Sequence, residues 1–248
     1  MQTLKQIYRS NYAGENIISN LTLSGGEWNP ETEYVPNQVF NTFTTTQAIA
    51  IGNGESRLSL DLWLIQNHKG GLFGSNKLQS YGCNALYRDM APDFLIATGD
   101  AIVEEIANSG YCADKIVYAN ADAVLKYPGK FYLVPQNIPY DSGALAVYLA
   151  CFDGHKKIFL MGYDNYYGNH GDVMNNVYKN TAGYPAHTDI DNGVFFEKSL
   201  CEVMKTYSDV DFVRIMPTMD HDTPASWTPL VNFRQISYQD FVIEADLG

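Results

Sequence analysis

The sequence predicts an α/β protein with a Rossmann-like, mostly parallel sheet, helices on both faces, and an extended N-terminal arm. From Thr46 onward, short apolar runs alternate with helical stretches, the order expected of a sheet covered by crossover helices. The runs AIAIG, DFLIAT, KIVYA and KIFLMG are almost wholly apolar, as strands buried on both faces must be. Residues 1–45 are set apart because Ser19 to Thr46 is rich in Asn, Thr, Gly, Pro and Glu and lacks a sustained helical or strand period, which predicts the arm.

Taking the elements in order, we predict seven strands, each a short apolar run bounded by turn residues: Gln47–Gly52, Leu78–Cys83, Asp93–Thr98, Lys115–Ala119, Phe131–Pro135, Lys157–Tyr163 and Asp211–Met216. Helices are predicted at Asp100–Ser109, Asp141–Gly154 and Asp191–Tyr207. Asp141 offers an N-cap, and the apolar residues that follow it recur at helical spacing. After Met216 we expect a loop-rich tail with one late strand near Asp240–Glu244.

Composition restricts the classes of partner. The net charge of -12, from 28 acidic and 16 basic residues, argues against binding to DNA or RNA. A single nucleotide is still allowed, because backbone amides can hold a phosphate.

The four cysteines lack CxxC pairing, which favours free thiols in a reducing compartment over zinc or disulfides. No run has the character of a signal peptide or a membrane span, so we expect a cytoplasmic protein, or one incorporated into a larger particle.

Three loops at predicted strand ends are the candidate site. The first is Gly52-Asn53-Gly54-Glu55-Ser56, whose glycines permit close backbone approach, although a simple tight turn has the same pattern. The second is Tyr140-Asp141-Ser142-Gly143, a helix N-terminus that suits either an anion or simple capping. The third, starting at Gly162-Tyr163-Asp164, ends the next apolar strand. Because ligands of open α/β sheets bind at the carboxyl ends of strands, we expect the three loops to meet.

These loops resemble the family-42 bacterial sialyltransferases, which transfer sialic acid from its cytidine monophosphate conjugate to a glycan. AIAIGNGES is similar to that family's strand and Gly-Asn-Gly-Pro-Ser turn, with Glu55 in place of proline. Gly82-Cys83-Asn84-Ala85-Leu86-Tyr87 looks like its Arg-Cys-Asn segment, and Asp141-Ser142-Gly143 stands where it has Thr-Ser-Gly. The segment from Lys157 to Asp164 is similar to the family's Lys-Glu-Ile-Tyr-Leu-Ser-Gly-Ile-Asp strand.

The resemblance implies a site and a reaction. His187, shortly before a Thr-Asp-Ile stretch, matches the family's general base, and a histidine is suited to take a proton from an acceptor hydroxyl. Tyrosines after the Ile-Asp strand bind the leaving phosphate in the family, and Tyr163 and Tyr166 stand in that region. The resemblance thus implies a glycosyltransferase-like protein with a nucleotide sugar and a glycan acceptor as substrates and no cofactor or metal. The nucleotide- and sugar-binding residues would be Gly52, Asn53, Gly54, Ser56, Asn84, Ser142, Gly143, Tyr163, Asp164 and Tyr166.

On this hypothesis residues 1–45 are the arm, 46–217 the nucleotide-sugar-binding domain, and 218–248 the tail. Two departures support an alternative: the family's arginine before Thr-Ser-Gly is missing, and Asp141 adds a negative charge. The protein could then be a catalytically degenerate structural or attachment component of a larger assembly, for example viral, contacted through the arm, or a homo-oligomer.

A second enzymatic alternative follows from a similarity of the glycine turn to archaeal-type hydroxymethylpterin diphosphokinase-like proteins, which would need ATP and magnesium. Carboxylates are the ligands that magnesium prefers, and two acidic stretches also contain histidine. The spacing matches no ligand motif, so solvated loop residues are the simpler interpretation. The residues concerned are Asp164, His170, Asp172, His187, Asp189 and Asp191, and Asp220, His221 and Asp222.

Overall fold

The fold consists of two sheets, seen in a computed structural model that describes residues 2–7, 15–36, 47–70, 77–164, 175–187, 190–220 and 222–248. The smaller sheet is an antiparallel meander of β1 (Gln2–Ile7), β2 (Glu15–Ser24) and β3 (Glu27–Pro36). The turn between β2 and β3 is Gly25-Gly26, with φ of 63° and 86°, values that favour glycine. The predicted arm is therefore extended, but it is organised as a sheet, which the sequence analysis did not predict.

The larger sheet has eight parallel strands: β4 (Gln47–Ile51), β5 (Gln79–Cys83), β6 (Phe94–Ala97), β7 (Ile116–Ala119), β8 (Tyr132–Leu133), β9 (Lys157–Met161), β10 (Asp211–Met216) and β11 (Phe233–Ser237). Their order across the sheet is β11-β10-β9-β4-β5-β6-β7-β8. The chain runs from β4 out to β8, returns to β9 beside β4, and continues to β11. The strand order therefore reverses between β4 and β9.

The Rossmann-like α/β prediction is confirmed, and all seven predicted strands are present. The late strand is misplaced: the tail pairs with β10 through Phe233–Ser237, whereas Tyr238–Glu244 is a helix. The side chain of Ser237 accepts a hydrogen bond from the Asp240 amide and so begins that helix. The segment after residue 217 thus adds an edge strand to the large sheet.

Helices cover both faces of the sheet. The three predicted helices are present as α2 (Asp100–Asn108), α4 (Ser142–Phe152) and α5 (Ile190–Thr206). Three shorter helices were not predicted: α1 (Leu62–His68), α3 (Ala121–Lys126) and α6 (Tyr238–Glu244). Among the described helices, none is long and apolar enough to cross a bilayer.

The core lies on the two faces of the sheet. On one face α4 is buried along almost its whole length, because it lies between the sheet and α5, and its residues are nearly all apolar. On the other face, Ile65 of α1, Ile106 of α2 and Phe241 of α6 are fully buried against the strands. The small sheet docks on the α3 and β8 region through Leu21, which is also fully buried. This arrangement leaves the carboxyl ends of the central strands open between the helices.

Candidate functional site

A cavity of about 700 Å³ opens at the carboxyl ends of β4, β5, β6 and β9, beside the N-termini of α2 and α4. It lies where the strand order reverses, the usual position of ligands in open α/β sheets. Of the predicted nucleotide- and sugar-binding residues that the structure describes, all except Ser56 line it: Gly52, Asn53, Gly54, Asn84, Ser142, Gly143, Tyr163 and Asp164. The expectation that the three loops meet is therefore met.

The glycines of the first loop are needed for contact between two loops. The Gly52 amide donates to the Met161 carbonyl oxygen at 2.8 Å, and the Gly54 amide donates to the Gly162 carbonyl oxygen at 2.9 Å. A Cβ at Gly52 would lie 2.5 Å from the Gly162 oxygen, and one at Gly54 would lie 2.5 Å from Asp164 Cγ. Gly162 has a φ of 71°, which also favours glycine. Direct packing of the β4 and β9 loops therefore accounts for these glycines without a ligand.

Ser56 and Asp164 bind each other. The Ser56 amide donates to Asp164 Oδ2 at 2.8 Å, and the Ser56 hydroxyl donates to Asp164 Oδ1. The carboxylate thus caps the short 3₁₀ helix Glu55–Ser59. Ser56 is buried behind the glycine turn and is not among the described residues that line the cavity. Both side chains therefore position the loop, and only Asp164 also reaches the cavity.

Two asparagines stand at the ends of β4 and β5. Asn53 Nδ2 donates to the Tyr184 hydroxyl at 3.3 Å, whereas Asn53 Oδ1 is buried without a partner among the described residues. Asn84 has a φ of 47°, a conformation that asparagine tolerates, and its Oδ1 accepts from the Thr98 amide at 2.8 Å. Asn84 therefore joins the β5 and β6 loops, and Asn53 leaves one acceptor at the cavity wall unsatisfied.

Asp141 occupies the N-terminus of α4. Its Oδ1 accepts from the amides of Gly143 at 2.8 Å and Ala144 at 3.1 Å, so the carboxylate takes the place that an external anion would use. Its Oδ2 is buried without a partner within the described part of the chain. Burial raises the pKa of Asp141 from 3.8 to about 6, against the hydrogen bonds from those two amides. Asp141 is therefore a carboxyl that lines the cavity and titrates near neutrality.

Tyr163 and Cys83 are neutral groups beside Asp141. The Tyr163 hydroxyl donates to the Gly143 carbonyl oxygen at 2.8 Å, so it is committed within the protein. Burial raises the pKa of Tyr163 well above its ordinary value, with Cys83 and Asp141 adding to the effect. Burial likewise raises the pKa of the Cys83 thiol to about 12. Both side chains therefore stay protonated at neutral pH.

His187 and Tyr166 are not placed in the cavity. His187 is exposed and is not among the described residues that line the cavity. Tyr166 lies outside the described residues, as do His170, Asp172, Asp189 and His221 of the acidic stretches. Across the described residues, no group of three or more His, Cys, Asp or Glu side chains is arranged to hold a metal ion.

Several lining residues were not predicted. The β6–α2 turn, Thr98 to Ile102, forms one wall, and the N-cap Gly99, with a φ of 85°, provides no side-chain cap to α2. A strand followed by Thr-Gly-Asp and a helix is the same signal that marked the other loops, so this wall was predictable. The opposite wall comes from α5 and the tail: Gly193, Val194, Phe196, Glu197, Leu200, Pro224 and Trp227. No local motif marks these residues.

The charged groups of the cavity wall are acidic. Asp100, Asp141, Asp164 and Glu197 line it, and no Lys, Arg or His is found among the described lining residues. Arg214 lies behind the wall, 1% exposed, and donates to the carbonyl oxygens of Tyr163 and Asp222 at 2.8 Å and 2.9 Å. Burial lowers the pKa of Arg214, and the charge of Asp164 counteracts this. The arginine therefore holds the wall in place from behind.

Comparisons with protein-family models, with curated proteins and with solved structures found no match for this chain.

Proposed function

We propose that this protein binds a nucleotide-linked sugar in the cavity at the carboxyl ends of β4, β5, β6 and β9, as a glycosyltransferase-like protein. The observation that carries the proposal is the convergence of the three strand-end loops on one cavity where the strand order reverses. The volume of about 700 Å³ is within the range of roughly 300–1,000 Å³ that is typical of small-molecule sites.

The unsatisfied acceptors of the wall support a ligand that is rich in hydrogen-bond donors. Asn53 Oδ1 and Asp141 Oδ2 are both buried without partners among the described residues, and an unmet buried acceptor costs about 1–3 kcal/mol. Sugar and ribose hydroxyls are donors that would remove this cost after a small adjustment of the wall. The acceptors therefore favour a polyhydroxylated ligand over an apolar one.

Transfer of the sugar to a glycan hydroxyl requires a group that accepts the hydroxyl proton. The resemblance assigns this role to His187, which is exposed and is not among the described lining residues, whereas Asp141 is a carboxyl of the cavity lining. Sugar transfer by His187→Ala and Asp141→Asn variants distinguishes the two residues. Replacing the residue that supplies the base should lower the rate of sugar transfer at least a hundredfold, a loss typical of missing acid–base catalysis.

Ligand-induced stabilisation tests the proposal. The midpoint of thermal unfolding is measured with CMP, CDP, UDP and ATP, each with and without magnesium. A ligand that binds only the folded state stabilises it by about 2.7 kcal/mol at a hundred times its dissociation constant. We expect a cytidine or uridine nucleotide to raise the midpoint, and Asn53→Ala to reduce the effect. Asn29→Ala, on the exposed N-terminal sheet, is the matched control. No response to any of these nucleotides would contradict the proposal.

A second candidate function is a structural component of a larger assembly that keeps the fold without the chemistry. The observation that favours it is the cavity wall, which lacks a described cation to receive an anionic donor, together with the position of His187. Deleting residues 1–45 separates the two functions. An enzyme should keep its nucleotide binding, whereas an assembly component should lose its partner and sediment as a free chain.

A further inference from the structure

The N-terminus of α4 is filled by the protein itself. Asp141 Oδ1 already accepts the two first-turn amides that would otherwise attract an anion, those of Gly143 and Ala144. The nearest phenol is not available either, because Tyr163 donates its hydroxyl hydrogen to the Gly143 carbonyl oxygen. A carboxylate or phosphate placed here would meet the Asp141 charge and find none of these donors.

The rest of the wall adds to this effect. Glu197 from α5, Asp164 from the β9 loop and Asp100 from α2 line the same cavity, and the described lining offers no cationic side chain. Like charges a few ångströms apart repel strongly in a partly buried site, whereas an uncharged hydroxyl would be attracted to an unpaired carboxylate oxygen.

We propose that the part of the ligand held beside α4 is an uncharged, hydroxyl-bearing sugar, and that Asp141 excludes sugars carrying a carboxylate there. This inference rests on the proposed binding of a nucleotide-linked sugar, and it departs from the sialic acid donor that the resemblance implies. Asp141 is then a specificity-determining residue, with Oδ2 as the acceptor of a sugar hydroxyl after a small adjustment of the wall exposes this atom.

The inference predicts a dependence of sugar preference on pH. Asp141 has a pKa of about 6, so its negative charge is present above that pH and is lost below it. Its titratable neighbours are Cys83 and Tyr163, whose pKa values the Asp141 charge raises; Asp164, Glu197 and Asp100 line the same cavity, and the buried Arg57 acts on Cys83 from outside the described lining. The thiol and the phenol stay protonated throughout. Discrimination against an acidic sugar should therefore weaken as the pH falls from 7.5 to 5.

The test compares two nucleotide sugars that differ only in a carboxylate, UDP-glucose and UDP-glucuronic acid, with CMP-sialic acid as a third probe and UDP and CMP alone as references. Dissociation constants are measured by calorimetry. We expect the wild-type protein to bind UDP-glucose at least tenfold more tightly than UDP-glucuronic acid at pH 7.5. Asp141→Asn keeps an N-cap for α4 but places an amide donor in the wall, so it should reduce that preference at least fivefold. Glu104→Gln removes a carboxylate from an exposed position of α2 that does not line the cavity, and it should leave the preference unchanged.

Three other outcomes would overturn the inference. Equal or tighter binding of UDP-glucuronic acid or CMP-sialic acid by the wild type contradicts it while leaving nucleotide-sugar binding in place. A preference that survives in Asp141→Asn contradicts the role of Asp141. Binding of none of the nucleotides or nucleotide sugars contradicts the proposed function itself, and the inference with it.

Discussion

The Gly54 amide donates to the carbonyl oxygen of Gly162 at 2.9 Å, so the loops after β4 and β9 touch where the strand order of the sheet reverses. A methyl group has no room in this contact, because a Cβ at Gly54 would lie 2.7 Å from that same oxygen. The stability of the cavity wall therefore depends on a backbone approach that only glycine allows.

We predict that Gly54→Ala lowers the free energy of unfolding by about 1–3 kcal/mol, the usual cost of overpacking. Urea denaturation of the wild type and of Gly54→Ala measures this difference in the free energy of unfolding. Gly54 has a φ of -63°, which any residue can adopt, so this loss measures the lack of space for the methyl group and not backbone strain. Unfolding of Gly54→Ala at the wild-type urea concentration would show that the two loops separate at little cost.

Ser56→Ala should destabilise the protein by about 1.5–3 kcal/mol, because it removes the hydrogen bond from the Ser56 hydroxyl to the Asp164 carboxylate. Ser59→Ala is the matched control, since the Ser59 hydroxyl donates only to a backbone carbonyl, that of Ser56, at 3.0 Å. Chemical denaturation of both variants gives the comparison. Equal losses would mean that the Ser56–Asp164 pair does not hold the loop.

The carboxyl of Asp141 should make stability depend on pH. Its folded pKa of about 6 exceeds its ordinary value of 3.8, so between these values the native state binds more protons than the unfolded state. The contribution of Asp141 to the free energy of unfolding therefore falls as the pH rises through this window, by up to about 3 kcal/mol. Asp141→Asn keeps the N-cap and does not titrate.

We therefore expect Asp141→Asn to match the wild-type stability near pH 4 and to exceed it increasingly up to pH 7. Unfolding in urea across this range measures the difference between the two proteins. Because the other carboxyls are common to both, they largely cancel. A difference that is constant with pH would refute the raised pKa.

The thiols should differ in reactivity. Cys83, Cys151 and Cys201 are buried, and burial raises the pKa of Cys83 to about 12 and that of Cys151 well above its ordinary value. Cys112 is only partly buried, and it should react first with a disulfide reagent at pH 8. The Cys112→Ser variant should lose the fastest phase of the reaction with that reagent. If the phase persists, one of the cysteines assigned to the core is accessible.

Docking of the N-terminal sheet should depend on Leu21. This side chain is fully buried against Ala121 and Leu133, so Leu21→Ala should remove about 2–5 kcal/mol from the docking of the sheet. Limited proteolysis should then cleave residues 1–45 faster while the large sheet stays intact. Leu23→Ala, on the same strand but only partly buried, is the control. Equal protection in both variants would show that other contacts hold the sheet.

The sequence predicted the fold well where apolar runs have clear boundaries. The apolar strands are short and bounded by turn residues, whereas α4 is eleven residues long and begins at the Asp141 cap, so length and boundaries made their type clear. The helices α1 and α3 were missed because seven and six residues are too few to establish a period, although Asp61 and Asn120 cap them. The hairpin at Gly25-Gly26 carried a turn signal, but the strand after it contains two prolines and several charged residues, which argue against a strand.

The site was predicted in outline and not in detail. Strand-end loops converge because parallel strands share one edge, so the position of the cavity follows from the topology. The glycines after β4 are needed for contact with the β9 loop. That loop is distant in sequence, so the sequence around the glycines could not predict the contact. The same holds for Trp227 and Glu197, which the packing of the tail and α5 brings to the wall.

Hydrogen exchange measured by mass spectrometry, with and without a saturating nucleotide or nucleotide sugar, shows whether the β4–β9 cavity binds the ligand. We expect slower exchange in peptides that contain Gly52–Gly54, Asn84, Gly99–Ile102 and Asp141–Ala144, the walls of the cavity. A second cavity of about 620 Å³, bordered by β8 and Leu4, provides the internal comparison and should not change. Protection confined to that second cavity, or no protection anywhere, would contradict the claim that the β4–β9 cavity is the ligand site.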